Sequence, residues 1–342
     1  MKTAFVTGWS GQDGTFLTRF LLDKGYKVVG LVRRISTEPP RRVRGKFDFK
    51  EELKSGKLIL ESGDLNSISS LLRIIKKHRP HEVYNLAAQS HVGVSFEQPE
   101  YTMSVNYEGL LNLMTALDFF APDARLYQAS TSEMFGDRVN IDPIDEGTPF
   151  NPTSPYAISK AAAHYAIQQR RRAGKYAVGG ILFNHESEIR GGDFVTQKIV
   201  RSLVHFEMLE LGNLDSARDW GFAGDYVEAM WLMLQQKEPQ DFVIGTGEVH
   251  SVRQFVEAVL RESYSSENHA IGVIEWRGKG KGEVGVLNGK VIVRVNPAFY
   301  RPTDVNFLVA FPLKAKDVLK WQSKTSFQQL VKRMVEAESK ND

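Results

Sequence analysis

Strands and helices alternate from the first residues of this chain, which predicts an α/β protein with a doubly wound parallel sheet and a smaller, interleaved C-terminal lobe. Three observations carry that prediction. Short apolar runs of strand length are separated by stretches whose apolar residues recur at helical spacing. Three glycines sit where the first strand turns into the first helix. After about Leu182 the rhythm breaks into polar and irregular segments.

Taken in order, Lys2 to Thr7 reads as a strand ending at Gly8, and Phe16, Leu17, Phe20 and Leu21 as a helix face. Val28 to Val32, Ile59 to Leu60, Val83 to Leu86 and Leu126 to Ala129 read as further strands. Between them, Ile68, Leu71, Leu72 and Ile75, then Leu110, Leu113, Met114 and Leu117, mark helices. The segment Thr196 to Glu210 reads as helical, Asp241 to Ile244 as a strand re-entering the sheet, and Gly278 to Gly282 as a basic turn. The expected division is a Rossmann-type nucleotide domain over 1–184, with elements near 214–250 returning to it, and a lobe formed mainly by 185–342.

A length of 342 residues is enough for a large core and an enclosed site. Hydrophobic residues at 42% and charged residues at 25% exclude a disordered chain. With 44 basic against 41 acidic residues, net +3, the balance is too even to mark a nucleic-acid binder. Cysteine is absent, so disulfides, thiolate metal sites and thiol nucleophiles are ruled out. No metal site is expected. No apolar run reaches the ~20 residues a membrane helix needs, and the first residues enter a strand instead of a leader. The expectation is a cytoplasmic protein with no membrane partner.

Gly8, Gly11 and Gly14 fall in the turn TGWSGQDG. Glycine lets backbone approach a pyrophosphate, and a helix N-terminus offers it unpaired N–H groups and a positive dipole. Three glycines can simply make a turn, but after a first strand and before regular alternation they favour a dinucleotide site. Asp64 and Leu65 should then lie under the adenosine, and the run Leu86, Ala87, Ala88, Gln89 and Ser90 should skirt the cofactor. An acidic residue ending the second strand would select NAD. Arg33 and Arg34 stand there instead, and guanidinium groups suit a 2′-phosphate, so NADP is the expected cofactor. The stretch 33–57, with nine Lys or Arg residues, reads by pattern alone as a solvated loop.

Ser154 is a good N-cap and Pro155 a good first helical residue, which places Tyr156 and Lys160 four apart on one helix face. A Lys one turn from a Tyr can stabilise the phenolate and make it a general base during hydride transfer. Between the glycine turn and this helix, Ala129-Ser130-Thr131-Ser132-Glu133 ends a strand on the crevice side of the sheet. If extended, Thr131 and Glu133 point the same way. The Thr131 hydroxyl can hold a substrate oxygen, and Glu133 can move a carbon-bound proton and then release a hydroxyl. An epimerase or reductase has no use for such a carboxylate, and a cofactor-sensing regulator has no use for the set of four.

These residues are similar to the extended short-chain dehydrogenase/reductases, which act on nucleotide sugars. More narrowly, the chain resembles the GDP-mannose 4,6-dehydratases almost end to end, through TGWSGQDGTFL, EVYNLAAQSHVGVSFEQPEYT, YQASTSEMFG, SPYAISK, GILFNHES, LGNLDSARDWG, DFVIGTGEVHSVRQFVE and YRPTDV. The resemblance implies bound NADP, GDP-mannose as substrate and GDP-4-keto-6-deoxymannose as product, on the way to GDP-fucose and related sugars. It implies a catalytic set of Thr131, Glu133, Tyr156 and Lys160. Cofactor contacts fall on Gly8, Trp9, Ser10, Gly11, Gln12, Asp13, Gly14, Asp64, Leu65, residues 86–90, Tyr101, Lys160, His185 and Arg190. Substrate contacts fall on Ser90, Glu133, Asn184, Lys198, Arg218, Arg301 and Asp304. It also gives the Arg33-Arg34 loop a place at a subunit interface near a neighbour's cofactor, in a homo-oligomer read as a tetramer with a dimer as the alternative. The chain departs from the family at Glu188-Ile189, where Pro-Arg is usual, at Phe222 in place of His, and at Asp304 in place of Glu. The related GDP-hexoses or heptoses therefore stay open as substrates.

Overall fold

The computed structural model describes residues 1–33, 47–137, 142–265, 273–300 and 305–340. Arg34, Arg301 and Asp304, three of the expected site residues, lie outside the described residues.

The chain opens with β1 (Thr3–Thr7), α1 (Gln12–Asp23), β2 (Lys27–Val32), α2 (Lys50–Lys54), β3 (Leu58–Ser62), α3 (Ile68–His78) and β4 (Glu82–Asn85). It continues through α4 (Val92–Glu97), α5 (Pro99–Met103), α6 (Gly109–Phe120), β5 (Arg125–Thr131), α7 (Pro155–Arg172) and β6 (Ala177–Leu182). Near-continuous apolar strands such as β6, buried at every residue, are what a sheet covered on both faces demands. Helix boundaries follow local chemistry. Ser67 caps α3 and Ser154 caps α7, each side chain accepting a backbone N–H, and Pro155 opens α7.

After β6 come β7 (Asn184–Glu186), α8 (Val195–Val204), β8 (Leu209–Leu211), β9 (Ala217–Arg218), β10 (Trp220–Phe222), α9 (Ala223–Gln235) and β11 (Phe242–Ile244). The chain closes with β12 (His250–Ser251), α10 (Val252–Ser265), β13 (Glu275–Arg277), β14 (Val284–Leu287), β15 (Lys290–Val295), β16 (Phe307–Leu308) and α11 (Phe327–Glu338).

The main sheet has seven strands in the order β11-β6-β5-β4-β1-β2-β3, and every pair in it is parallel. The order reverses between β1 and β4, where a crevice opens at the carboxyl ends of the strands. One face is packed by α3, α6 and α7 through Leu71, Ile75, Leu113, Leu117 and Ile167. The other is packed by α1 and α9 through Leu17, Leu21, Met230 and Met233. A separate core lies where α8, α10 and α11 meet β8 and β15, through Ile199, Leu203, Phe255, Val259, Leu330, Leu209 and Val293.

The helical reading of Thr196 to Glu210 needs correction. Helix α8 stops at Val204, Phe206 takes a left-handed φ of 56°, and Leu209–Leu211 pairs in parallel with β15. The apolar pattern over 196–204 is helical, but partners more than eighty residues away decide the conformation beyond it, and no local signal announces them.

Candidate active site

A cavity of about 1260 Å³ runs along the crevice and is lined by both the sheet's carboxyl ends and the second core's elements. Its floor is the turn after β1. Gly8 holds a left-handed φ of 66°, and a Cβ there would lie 2.8 Å from the Ala87 nitrogen. At Gly14 a Cβ would stand 2.2 Å from the Gly8 oxygen and 2.5 Å from Trp9 Cα, so only glycine lets α1 start this close to β1. No side chain caps the N-terminus of α1, and Gln12, Asp13 and Gly14 face the cavity there. Those three N–H groups precede the first intrahelical bond, Thr15 to Gly11, so the end of α1 presents open donors.

Asp13 and His185 form a pair across this floor, with Nε2 2.9 Å from Oδ2. Burial works against the Asp13 charge, yet the charge and hydrogen bond of His185 hold its carboxyl below the usual range. Burial likewise works against a charged His185, and Asp13 overcomes it to hold the imidazole above its ordinary value. Gln12 donates to the His185 carbonyl at 3.0 Å and accepts from the Ser187 hydroxyl at 2.8 Å. The start of α1 is thereby tied to β7.

The sequence-predicted cofactor residues Gly8, Ser10, Gly11, Gln12, Asp13, Gly14, Arg33, Asp64, Leu65, Leu86, Ala87, Ala88, Ser90, Tyr101, Lys160, His185 and Arg190 all line this cavity. Arg33 donates to the Tyr101 hydroxyl at 3.0 Å, which joins the end of β2 to α5 at the rim. Trp9 and Gln89 do not line it. Trp9 is buried against Gly30 and Phe49 beneath the turn. Gln89 turns inward, its N–H bonded to Asn106 and its side-chain amide to the His91 carbonyl. Arg190 lies against the Phe194 ring and pairs with Glu186.

Thr131, Glu133, Tyr156 and Lys160 meet in the same cavity, with Ser90, Asn184, Lys198 and Arg218 around them. The premise that 131–133 is extended does not hold. Strand β5 ends at Thr131, and Ser132–Phe135 is a single 3-10 turn whose N-cap is Thr131. Its Oγ1 accepts the Glu133 N–H at 3.2 Å, and it is this cap that brings Glu133 round to the cavity. Arg218 Nε stands 4.0 Å from Glu133 Oε1, so an arginine expected at the phosphate end also neighbours the carboxylate.

Tyr156 and Lys160 share one face of α7, but their coupling differs from the sequence expectation. Lys160 Nζ donates to the Ala129 carbonyl at 2.9 Å and lies 5.9 Å from the Tyr156 ring. Burial pushes the Tyr156 phenol up to about 12, Thr131's hydrogen bond opposes that rise, and the Glu133 charge adds to it. Burial also lowers the Lys160 ammonium to about 8, with Asp13 attracting the charge. Burial therefore sets the direction of the Tyr156 shift, which is upward.

Glu210, Asn213, Phe299 and Tyr300 also line the cavity, and sequence reasoning missed them as contacts. They come from β8, the approach to β9 and the Pro297–Phe299 turn with the residue after it, brought together by the parallel pairing of β8 with β15; Asn213 and Tyr300 lie within the runs LGNLDSARDWG and YRPTDV, which marked the resemblance without giving these two a role.

The family model described as GDP-mannose 4,6 dehydratase matches residues 5–334. A GDP-mannose 4,6 dehydratase of Drosophila melanogaster is 48% identical, the match covering 98% of this chain and 86% of the relative. The Homo sapiens GDP-mannose 4,6 dehydratase is 47% identical, covering 98% and 91%. Among solved structures, UDP-glucose 4-epimerase of Thermus thermophilus in complex with NAD superposes with a TM-score of 0.80 at 25% identity, covering 98% of each chain.

Proposed function

Since the chain belongs to the GDP-mannose 4,6-dehydratase family, we propose that it converts GDP-mannose to GDP-4-keto-6-deoxymannose with NADP as a retained cofactor, in the cytoplasm and as a homotetramer. One observation carries the reading: Thr131, Glu133, Tyr156 and Lys160 converge in a single cavity, where the Thr131 hydroxyl caps the turn that holds Glu133.

Residues 1–184 form the cofactor half in this reading, and 185–342 supply most of the sugar-nucleotide half. The open N–H groups at the start of α1, the Gly8 and Gly14 close approaches and the Arg33–Tyr101 pair fit a dinucleotide carrying a 2′-phosphate. Bound NADP supplies the hydride acceptor at C4 and donor at C6, and its positively charged ring favours ionisation of a nearby phenol.

The protein's own groups handle the protons. Tyr156 takes the proton of the sugar 4-hydroxyl, and Thr131 holds the resulting 4-oxygen. The 4-ketone acidifies the neighbouring C5 hydrogen, which Glu133 removes as general base. Glu133 then returns that proton to the departing C6 hydroxyl, so water leaves; once C6 is reduced, C5 takes back one proton, equal in number to the one Tyr156 has held since the first step, so the count closes. Lys160, held by the Ala129 carbonyl, keeps a positive charge behind the phenol. Asn184, Lys198 and Arg218, with Arg301 and Asp304, take the nucleotide end.

The test is incubation of the purified protein with GDP-mannose and no added reductant. A product one water lighter, trapped as a 4-keto sugar, is expected. Unchanged GDP-mannose, or a product of unchanged mass, would overturn the reading.

A further inference from the structure

Three acidic side chains deep in the cavity stand against a cation. Asp13 pairs with His185, Glu186 with Arg190, and Glu133 stands beside Arg218. Glu210 is held by a neutral partner instead. It lines the cavity from β8, half-buried, and among the described residues it makes no ion pair. Asn296 Nδ2 donates to its Oε2 at 3.1 Å, while its Oε1 has no partner among those residues.

The setting of Glu210 is built, not incidental. Asn296 bonds through its backbone N–H to the Leu211 carbonyl at 2.7 Å, and its Oδ1 accepts the Ala298 N–H at 2.9 Å as the cap of the Pro297–Phe299 turn. One asparagine thus fixes the carboxylate and the aromatic turn relative to each other. Gly212 allows the approach, since a Cβ there would lie 2.7 Å from the Phe299 oxygen. Phe299, 49% exposed, offers a ring with the Lys198 ammonium 3.9 Å from its centre. An aromatic surface, a cation suited to phosphate and an oriented carboxylate with a free oxygen face one space.

We propose that Glu210 is the residue that selects the base, accepting hydrogen bonds from the N1–H and 2-amino group of guanine. This rests on the reading of the cavity as a GDP-sugar site. A carboxylate is acceptor-only, and guanine is the common base that presents two adjacent donors on one edge. Adenine offers an acceptor at N1 and uracil a single imide N–H, so each leaves the carboxylate repelled or half-satisfied. Hypoxanthine keeps N1–H and lacks the 2-amino group, which isolates one of the two bonds.

The experiment is calorimetric binding of GDP, IDP, ADP and UDP to the full-length protein and to Glu210→Gln and Glu210→Ala. One hydrogen bond to a charged group separates the two ligands, so the unsubstituted protein should bind GDP roughly tenfold or more tighter than IDP. In both variants GDP affinity should fall about 10- to 100-fold and the GDP-to-IDP ratio should approach one. Variants that keep the original ratio would overturn the role of Glu210 and leave the GDP-sugar reading standing on the preference over ADP and UDP. Equal binding of all four by the unsubstituted protein would overturn both.

Discussion

Thr131→Val removes one hydroxyl and almost no volume at the point where Tyr156 and Glu133 are joined, which isolates its effect on the phenol. Burial and the Glu133 charge push Tyr156 up to about 12, with Thr131's hydrogen bond pulling it down. At pH 8 a phenol of that value is ionised in only ~1 molecule in 10⁴, so any group that favours the phenolate bears directly on rate. Losing a hydrogen bond to a charged oxygen costs ~1.5–3 kcal/mol, and one pKa unit corresponds to ~1.36 kcal/mol. The phenol should therefore rise by about one to two units. A higher pKa means less phenolate at a given pH, so the acid limb of the single-turnover oxidation rate moves to higher pH. Below that limb the variant should be ~10- to 100-fold slower, and at high pH the two rates should converge. Val also removes the cap of the Ser132–Phe135 turn, which costs ~1 kcal/mol of stability and is read separately by denaturant unfolding. Thr131→Ser keeps the hydroxyl and should keep the limb in place. A Val profile that superimposes on the original with only KM changed would refute this account of Thr131, as would a Ser variant that shifts as far as Val.

Glu133→Gln keeps size and removes the base, so dehydration measured by product mass should fall ~100-fold or more while GDP-mannose binding persists; a near-original rate would remove Glu133 from the chemistry. Gly14→Ala forces a Cβ to within 2.2 Å of a backbone oxygen, and backbone cannot yield as a side chain does, so cofactor binding should be lost and stability should fall by ~3 kcal/mol or more. Gly11→Ala meets only the Gly8 oxygen at 3.2 Å, and should still fold. Arg33→Ala together with Arg34→Ala should weaken NADP more than NAD, by ~2 kcal/mol. Sedimentation of the same variant reads the interface role of the loop, and unchanged preference with unchanged mass would return the loop to solvent.

The main sheet was legible because its information is local. Buried parallel strands write themselves as apolar runs, and β1 to β5 and β11 fall within a few residues of where the sequence predicts them. The α7 start was legible for the same reason, through Ser154 and Pro155. Where partners are distant the reading failed. The run to Glu210 is helical in pattern and becomes β8 because β15 pairs with it. At the site, spacing along a helix correctly predicted that Tyr156 and Lys160 share a face, but spacing carries no information on desolvation, and burial pushes the phenol up. The turn after β5 was also hidden, since whether Thr131 continues the strand or caps a 3-10 turn depends on a single hydrogen bond to Glu133. Asn296's hold on Glu210 spans segments too far apart for any motif to join.

The proposed chemistry stands on a hydride that leaves C4 and returns to C6 of the same sugar. The direct measurement is single-turnover conversion of GDP-mannose carrying deuterium at C4, in ordinary water with unlabelled cofactor and no reductant, followed by mass and NMR analysis of the product. The expected product is a 4-keto-6-deoxy sugar with the deuterium retained in its C6 methyl group. Deuterium lost to solvent, left on released cofactor, or still at C4 would contradict that chemistry.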